Sequence, residues 1–282
     1  MSLRYVTSEL AAVLDLVRCA TYEDAVRRQL FAAAGDLAQL AGWMQWDAGD
    51  QGAAQRYLLL SMRMARSAGD DGRAINDAGM LCYIAAHSGQ GRDAIQIATA
   101  ATQIAVPSRL LRARIIGRAA TAHAAVGDLQ ASRSAAGLAQ DLLASAGADD
   151  ATPYLYYLNP DQLAAESGQG LLTLAATADV FQRRLLGEAV ELLTPLSSAD
   201  ARVEYQRSAL LHGCYLAEAH LRRRELDAAV EVTRIALSRA PGVRSHRCLA
   251  LLHRLRGAFA QRKRATVVAD FLPELEGALD MV

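Results

Sequence analysis

The stretch AGWMQWDAGDQGAAQRYLLLSMRMARSAGD (residues 41–70) sets a small residue, Gly42, seven positions before a Gly49-Asp50 turn and another, Ala54, five positions after Gly49. The same layout returns in MLCYIAAHSGQGRDAIQIATAATQIA (80–105), GRAATAHAAVGDLQASRSAAGLAQDLLA (117–144) and GCYLAEAHLRRRELDAAVEVTRIALSRAP (213–241). The turns there are Gly89-Gln90, Gly127-Asp128 and Arg224-Glu225. The small residues before them are Cys82, Ala120 and Ala217, and those after are Ala94, Ser132 and Ala229. Small side chains one or two helical turns from a connection let two antiparallel helices approach at the short end of the roughly 8–10 Å packing range. Glycine at three of the four turns supplies the left-handed conformation that ends a helix, and Pro241 follows the fifth helix pair where a helix cannot continue. A degenerate unit fits residues 159–195, with Gly168 as the small residue and Ala175 at the turn.

Composition agrees with a helical reading. Of 282 residues, 52% are hydrophobic but only 5% aromatic, Pro numbers 6, and roughly a fifth are Ala, a mixture that favours helix over a β-sandwich. Thirty acidic residues balance thirty basic ones, so no global field draws the chain to nucleic acid or an anionic membrane. Cys19, Cys82, Cys214 and Cys248 occur singly, with no CxxC, inside apolar helical stretches that suit buried thiols in a reducing compartment. The N-terminus has no apolar leader and no window approaches a membrane span, so a cytoplasmic location is expected.

The repeated layout resembles the tetratricopeptide repeat, with its small residue in the first helix, Gly-Asp or similar at the turn and Ala early in the second. The turns recur at roughly 40–50 residues rather than the usual 34, so these are stretched, divergent units covering about residues 30–260. The resemblance implies an all-α solenoid of about five to six antiparallel helix pairs in a single domain. Residues 1–30 are then an N-terminal helical cap with a capped helix at Thr21 and Asp24, 31–260 the repeats, and 265–282 a C-terminal capping helix. Residues 41–70, together with YLYYLNPDQLAAESGQGLLTLA, also resemble the C-terminal half of actinobacterial XRE-type helix-turn-helix regulators. In this sequence only SLRYVTSELAAVLDLVRCAT and that capped helix precede the first repeat, where the family carries its DNA-binding domain. Direct DNA recognition is not carried over, and the resemblance implies a stand-alone sensor or scaffold, or a chain whose DNA-binding domain lies outside this sequence.

In a stacked helix-pair array the first helix of each pair lines the concave face. That rule selects Asp36, Gln39, Trp43 and Trp46 from the first pair, Asn76, Tyr83 and His87 from the second, and Arg114 and Thr121 from the third. Gln162 and Gln169 follow from the fourth, and Glu218 and Arg222 from the fifth. A groove with both tryptophans at one end suits a peptide or an amphipathic small molecule better than a duplex. Trp43 and Trp46 are three apart, however, and equally fit a packing role against the N-terminal helix. Tyr154, Tyr156 and Tyr157, in the Pro-bounded ATPYLYYLNP (151–160), form either a lid over the groove or a plug between repeats.

No catalytic motif emerges. His87, His123, His212, His220, His246 and His253 make no zinc spacing, and His246 and Cys248, two apart on a helix, face different ways. His212 and Cys214 read as interior residues, Asp149-Asp150 as a solvated turn, and GQGRDA lacks the strand, lysine and hydroxyl of a phosphate loop. Arg222–Arg224 and Arg262–Arg264 read as solvated helix ends. Val267, Val268, Phe271, Leu272, Leu275 and Leu279 give the capping helix an apolar face that could pair with a second copy, making a homodimer. The expected function is non-enzymatic: a groove binding a peptide, protein segment or small molecule in a regulatory role, without metal or cofactor. The alternatives are an enzyme or accessory protein of a biosynthetic pathway that holds a substrate or precursor peptide there, and a pure assembly scaffold.

Overall fold

The computed structural model describes residues 2–19, 21–104, 108–178, 180–200, 206–243 and 245–281, and among them the secondary structure is entirely helical. The α-helices are α1 (Leu3–Cys19), α2 (Asp24–Asp47), α3 (Gln51–Ala68), α4 (Asp71–His87), α5 (Gly91–Gln103), α6 (Arg109–Ala125) and α7 (Leu129–Ala144). They continue with α8 (Pro160–Leu174), α9 (Gln182–Ser197), α10 (Gln206–Arg223), α11 (Leu226–Arg239), α12 (His246–Ala260) and α13 (Thr266–Asp280). From α2 onward successive helices pair, α2 with α3, α4 with α5, α8 with α9, α10 with α11 and α12 with α13, a helical repeat. No described helix is long and apolar enough to cross a membrane.

Local chemistry sets the helix ends. Asp50, Asp70, Ser108, Asn159 and Ser245 each accept the backbone N–H three residues on, at 2.8–3.2 Å, and so cap α3, α4, α6, α8 and α12. The four turns read from the sequence share one backbone conformation: Gly49, Gly89 and Gly127 have φ of 91°, 78° and 84°, and Arg224 has 65°. Thr21 makes no cap. Glu23 precedes α2 without a side-chain cap bond, and α2 runs through residue 30 without a break.

The chain divides into two compact units. The first comprises Met1–Val126 with Arg133–Leu158, the second Gly127–Ser132 with Asn159–Val282, so α7 is shared between them. In the first unit α2 meets α3 across Gly42, where a Cβ would lie 3.0 Å from Leu58 Cγ. In the same way α4 meets α6 across Gly79, where it would lie 2.8 Å from Ile115 Cδ1. In the second unit Gly168 lets α8 close on α9, since a Cβ there would stand 2.9 Å from Leu193 Cγ. The core of the second unit gathers Leu210, Cys214, Leu252, Phe259 and Phe271, the two phenyl rings meeting edge to face at 5.3 Å. The helix expected as a lone C-terminal cap is α13, which packs on α11 and pairs with α12. Its apolar side is thereby buried within its own unit.

Candidate functional site

The first helices of the N-terminal unit, α2, α4 and α6, carry one polar and aromatic stripe each, at the 3–4 residue spacing that keeps a single helix face. They are Asp36, Gln39, Trp43 and Trp46; Arg73, Asn76, Asp77, Met80, Tyr83 and His87; and Arg114, Arg118 and Thr121. Tyr83 is the hub. Its ring lies 6.2 Å from Trp43, 6.5 Å edge-on from Trp46 and 4.2 Å from His87, and the Arg118 guanidinium sits 4.3 Å above its centroid. One turn away the Gln39 amide donates to Met80 Sδ at 3.4 Å and accepts from Arg73 Nη1 at 3.1 Å. Arg73 also pairs with the Asp36 carboxylate and stacks 4.7 Å from the centre of the Tyr154 ring.

Burial sorts these residues. Trp46 belongs to the core with Ala54, Leu58, Leu81 and Ile84, whereas Trp43, His87 and Gln39 are half-buried and Asp36 is exposed. Asn76, Tyr83, Arg114 and Thr121, expected to face an open groove, are buried instead, and Thr121 returns its hydroxyl to the Gly117 carbonyl at 3.3 Å. The reason is the close approach of α4 to α6 across Gly79, which closes these side chains between neighbouring helices. The accessible part of the site is therefore Trp43, His87, Gln39, Asp36 and Arg73, backed by a buried layer.

Asp77 lies in that buried layer, with none of its surface exposed. The Ser61 hydroxyl from α3 stands 2.6 Å from Asp77 Oδ2 and 2.8 Å from the Gly35 carbonyl oxygen of α2. A hydroxyl has one proton, so Ser61 serves one of these oxygens at a time: it donates to Oδ2 when Asp77 is ionised, and when Asp77 is protonated the carboxyl donates to Ser61 and the hydroxyl donates to Gly35. Burial pushes the Asp77 carboxyl up to about 7, opposed by the Ser61 hydrogen bond and the Arg73 charge. Its other oxygen, Oδ1, is buried with no hydrogen-bond partner among the described residues, as is Asn76 Nδ2.

Residues 148–158 form a strap tied to the start of α6. Ser108 Oγ donates to the Asp150 carbonyl at 2.8 Å, Arg109 N donates to the Asp150 carboxylate, and Arg109 Nη1 donates to the Ser145 carbonyl at 3.0 Å. Asp150 is thus a tether rather than a merely solvated turn residue, and the Gly147 and Arg109 N–H groups hold its carboxyl below the ordinary range. Leu155 and Leu158 are buried beneath the strap. Of its three tyrosines only Tyr154 reaches the site, its hydroxyl 3.0 Å from where a Gly72 Cβ would stand. Tyr156 is 78% exposed and meets Tyr157 edge-on at 5.8 Å, away from Arg73.

Gln162, Gln169, Glu218 and Arg222 belong to the second unit and are bound up there. Gln162 donates to Glu166 at 2.9 Å, Gln169 pairs with His212 Nδ1 at 2.8 Å, Glu218 with Arg254 at 2.7 Å, and Arg222 donates to the Leu172 carbonyl at 2.8 Å. All four cysteines are thiols, and Cys82, Cys214 and Cys248 are buried as expected, but Cys19 is exposed at the end of α1. Burial raises the Cys82 thiol to about 12, and the Cys214 thiol higher still, which leaves neither a ready nucleophile.

Sequence reasoning passed over Arg73, Asp77 and Arg118. A signal existed for each: Asp77 is the lone acid in the apolar run AINDAGMLCYIAA, Arg118 is one turn beyond Arg114, and Arg73 one turn before Asp77. No model of a known protein family matches the chain, and no curated protein does either. The chemistry of the site rests on these residues themselves.

Proposed function

We propose that this chain is a non-enzymatic binding protein of tetratricopeptide type, in which the face formed by α2, α4 and α6 receives a peptide, a protein segment or a small amphipathic molecule. The observation behind this reading is the aromatic ladder around Tyr83, with the half-buried Trp43 and His87 at its accessible edge and the Arg73–Gln39–Asp36 group one turn away. Aromatic faces take apolar side chains or acyl groups, and a guanidinium flanked by an amide and a carboxylate sorts polar ends by hydrogen bonding. A regulatory role follows if the ligand binds one arrangement of these helices better than another and so shifts their populations. The four cysteines, each a thiol, support a reducing, cytoplasmic setting.

Native mass spectrometry of the protein purified from its host tests the reading through any retained ligand. Wild type is expected to carry a bound mass. Trp43→Ala is expected to lose it, with occupancy falling about tenfold, the scale of one lost aromatic contact, while the melting temperature holds within about 2 °C. A ligand-free wild type, or a Trp43→Ala variant that melts early yet keeps the ligand, refutes it.

A further inference from the structure

We propose that Asp77 and Arg73 form a proton-operated latch on the Tyr154 end of the strap: with Asp77 protonated Arg73 holds Tyr154 down, and loss of that proton turns Arg73 toward Asp77 and releases that end, while the Asp150 end stays tied to α6. Arg73 is the only described contact between a cation and the strap's tyrosine rings, stacked 4.7 Å from Tyr154 while it also serves Asp36 and Gln39. Asp77 lies one turn further along α4, the spacing at which an arginine and a carboxylate meet on a helix. In its protonated form it needs no cation, because it donates to Ser61 and that hydroxyl passes its own proton to Gly35.

Ionising Asp77 breaks this economy. Ser61 cannot donate to Gly35 and to a carboxylate at once, and a fully buried carboxylate without a counter-charge is costly. The groups around it are Asp36 from α2, the Ser61 hydroxyl from α3, Arg73 and the capping Asp70 on α4, and the Tyr154 hydroxyl from the strap; Arg114 and Arg118 stand on α6. Two of these neighbours, Asp36 and Asp70, are themselves acids and worsen the charge, and Arg73 is the cation whose field reaches Asp77. Asp36 can give up Arg73 because its side chain is 55% exposed and water replaces the guanidinium. Tyr154 cannot compete either, since a ring face binds a cation far more weakly than a dry carboxylate does.

The consequence for binding rests on the reading above: release of Tyr154 uncovers Arg73 and Gly72 at one end of the aromatic ladder, and a ligand that needs that end binds better as pH rises. The latch itself is testable with no ligand, so its failure and the failure of the binding reading are separable. Hydrogen exchange of residues 153–158, corrected for the intrinsic pH dependence of exchange, is measured at pH 6 and pH 8 in the full chain. Wild type is expected to lose about tenfold in strap protection at pH 8, Asp77→Asn to keep its pH 6 protection at both, and Arg73→Gln to lack it at both. Equal wild-type protection at the two pH values, or an Asp77→Asn strap that loosens like wild type, overturns the latch. Should Asp77→Asn not fold, the fluorine shift of 3-fluorotyrosine at position 154 decides. A titration midpoint near 7 that vanishes in Arg73→Gln upholds the latch, and its absence in wild type overturns it.

Discussion

Both units bury a titratable group on the first helices of their pairs, and they bury opposite kinds. In the N-terminal unit it is an acid, Asp77 on α4, raised by burial to about 7; in the C-terminal unit it is a base, His212 on α10, lowered by burial to about 4. Each is neutral at mildly acidic pH, and each satisfies one atom through a neutral partner, Ser61 or Gln169. The difference is where the neutrality ends. Burial puts the Asp77 change of charge near pH 7, on the helix that also carries the half-buried His87, whereas His212 stays neutral until strongly acidic pH, inside a face whose polar groups are tied to one another. One helical-repeat plan can thus bury one titratable group close to its point of charge change at neutral pH and another far from it.

The Asp77 carboxyl carries the largest pH-dependent effect on stability. The folded state holds the Asp77 proton more tightly than the unfolded chain, so between about pH 4 and 7 unfolding releases a proton and stability falls as pH rises, levelling above 7. Asp77→Asn removes that loss and is expected to stabilise the first unit by about 2–4 kcal/mol at pH 8 and by little at pH 4. Both tryptophans lie in this unit, so tryptophan fluorescence during urea unfolding reads it selectively. A wild-type to Asp77→Asn difference that does not grow from pH 4 to 8 contradicts the protonated arrangement.

His212 supplies the mirror image, somewhat smaller. Its folded value lies below its unfolded one, so its contribution is present above about pH 6.5 and is lost as pH falls toward 4, a span of about 2–3 kcal/mol. His212→Gln is expected to flatten that acid limb in the exchange protection of α10 amides while leaving tryptophan-detected unfolding of the first unit unchanged. An acid limb that persists in the variant would assign it to other groups.

How much of this was legible in the sequence differs between the two faces for a physical reason. The pairing, the turns at Gly49, Gly89 and Gly127 and the close approaches at Gly42 and Gly168 follow from local rules, because a left-handed turn and a small contact residue restrict the chain wherever they occur. The stripe Gln39, Trp43, Tyr83 and His87 followed from helical periodicity and does converge. Periodicity fixes the face of one helix, though, not its distance from the next, so it could not tell that Asn76, Arg114 and Thr121 are closed in, or that Trp46 joins the core. Nor could it find the Asp77–Ser61–Gly35 chain, which joins three helices, or place Tyr154 on Arg73 from a segment that obeys no period.

The turns between paired helices carry a smaller effect. Gly49, Gly89 and Gly127 fill the left-handed turn position, but the fourth such turn, at the end of α10, puts Arg224 there at φ 65°. A residue with a Cβ pays about 1–2 kcal/mol for that conformation, and glycine returns part of the gain through its greater freedom when unfolded. Arg224 is exposed, and the neighbouring ion pair to Glu225 is made by Arg223, so the substitution removes little else. Arg224→Gly is therefore expected to stabilise the second unit by about 0.5–1 kcal/mol, a rise of about 1–3 °C in its melting temperature. Gly89→Ala should cost the first unit a similar amount. If Arg224→Gly instead destabilises, the arginine is making a contact worth more than its backbone strain, and the α10–α11 turn is held by a side chain where the turns at Gly49, Gly89 and Gly127 are held by their glycines.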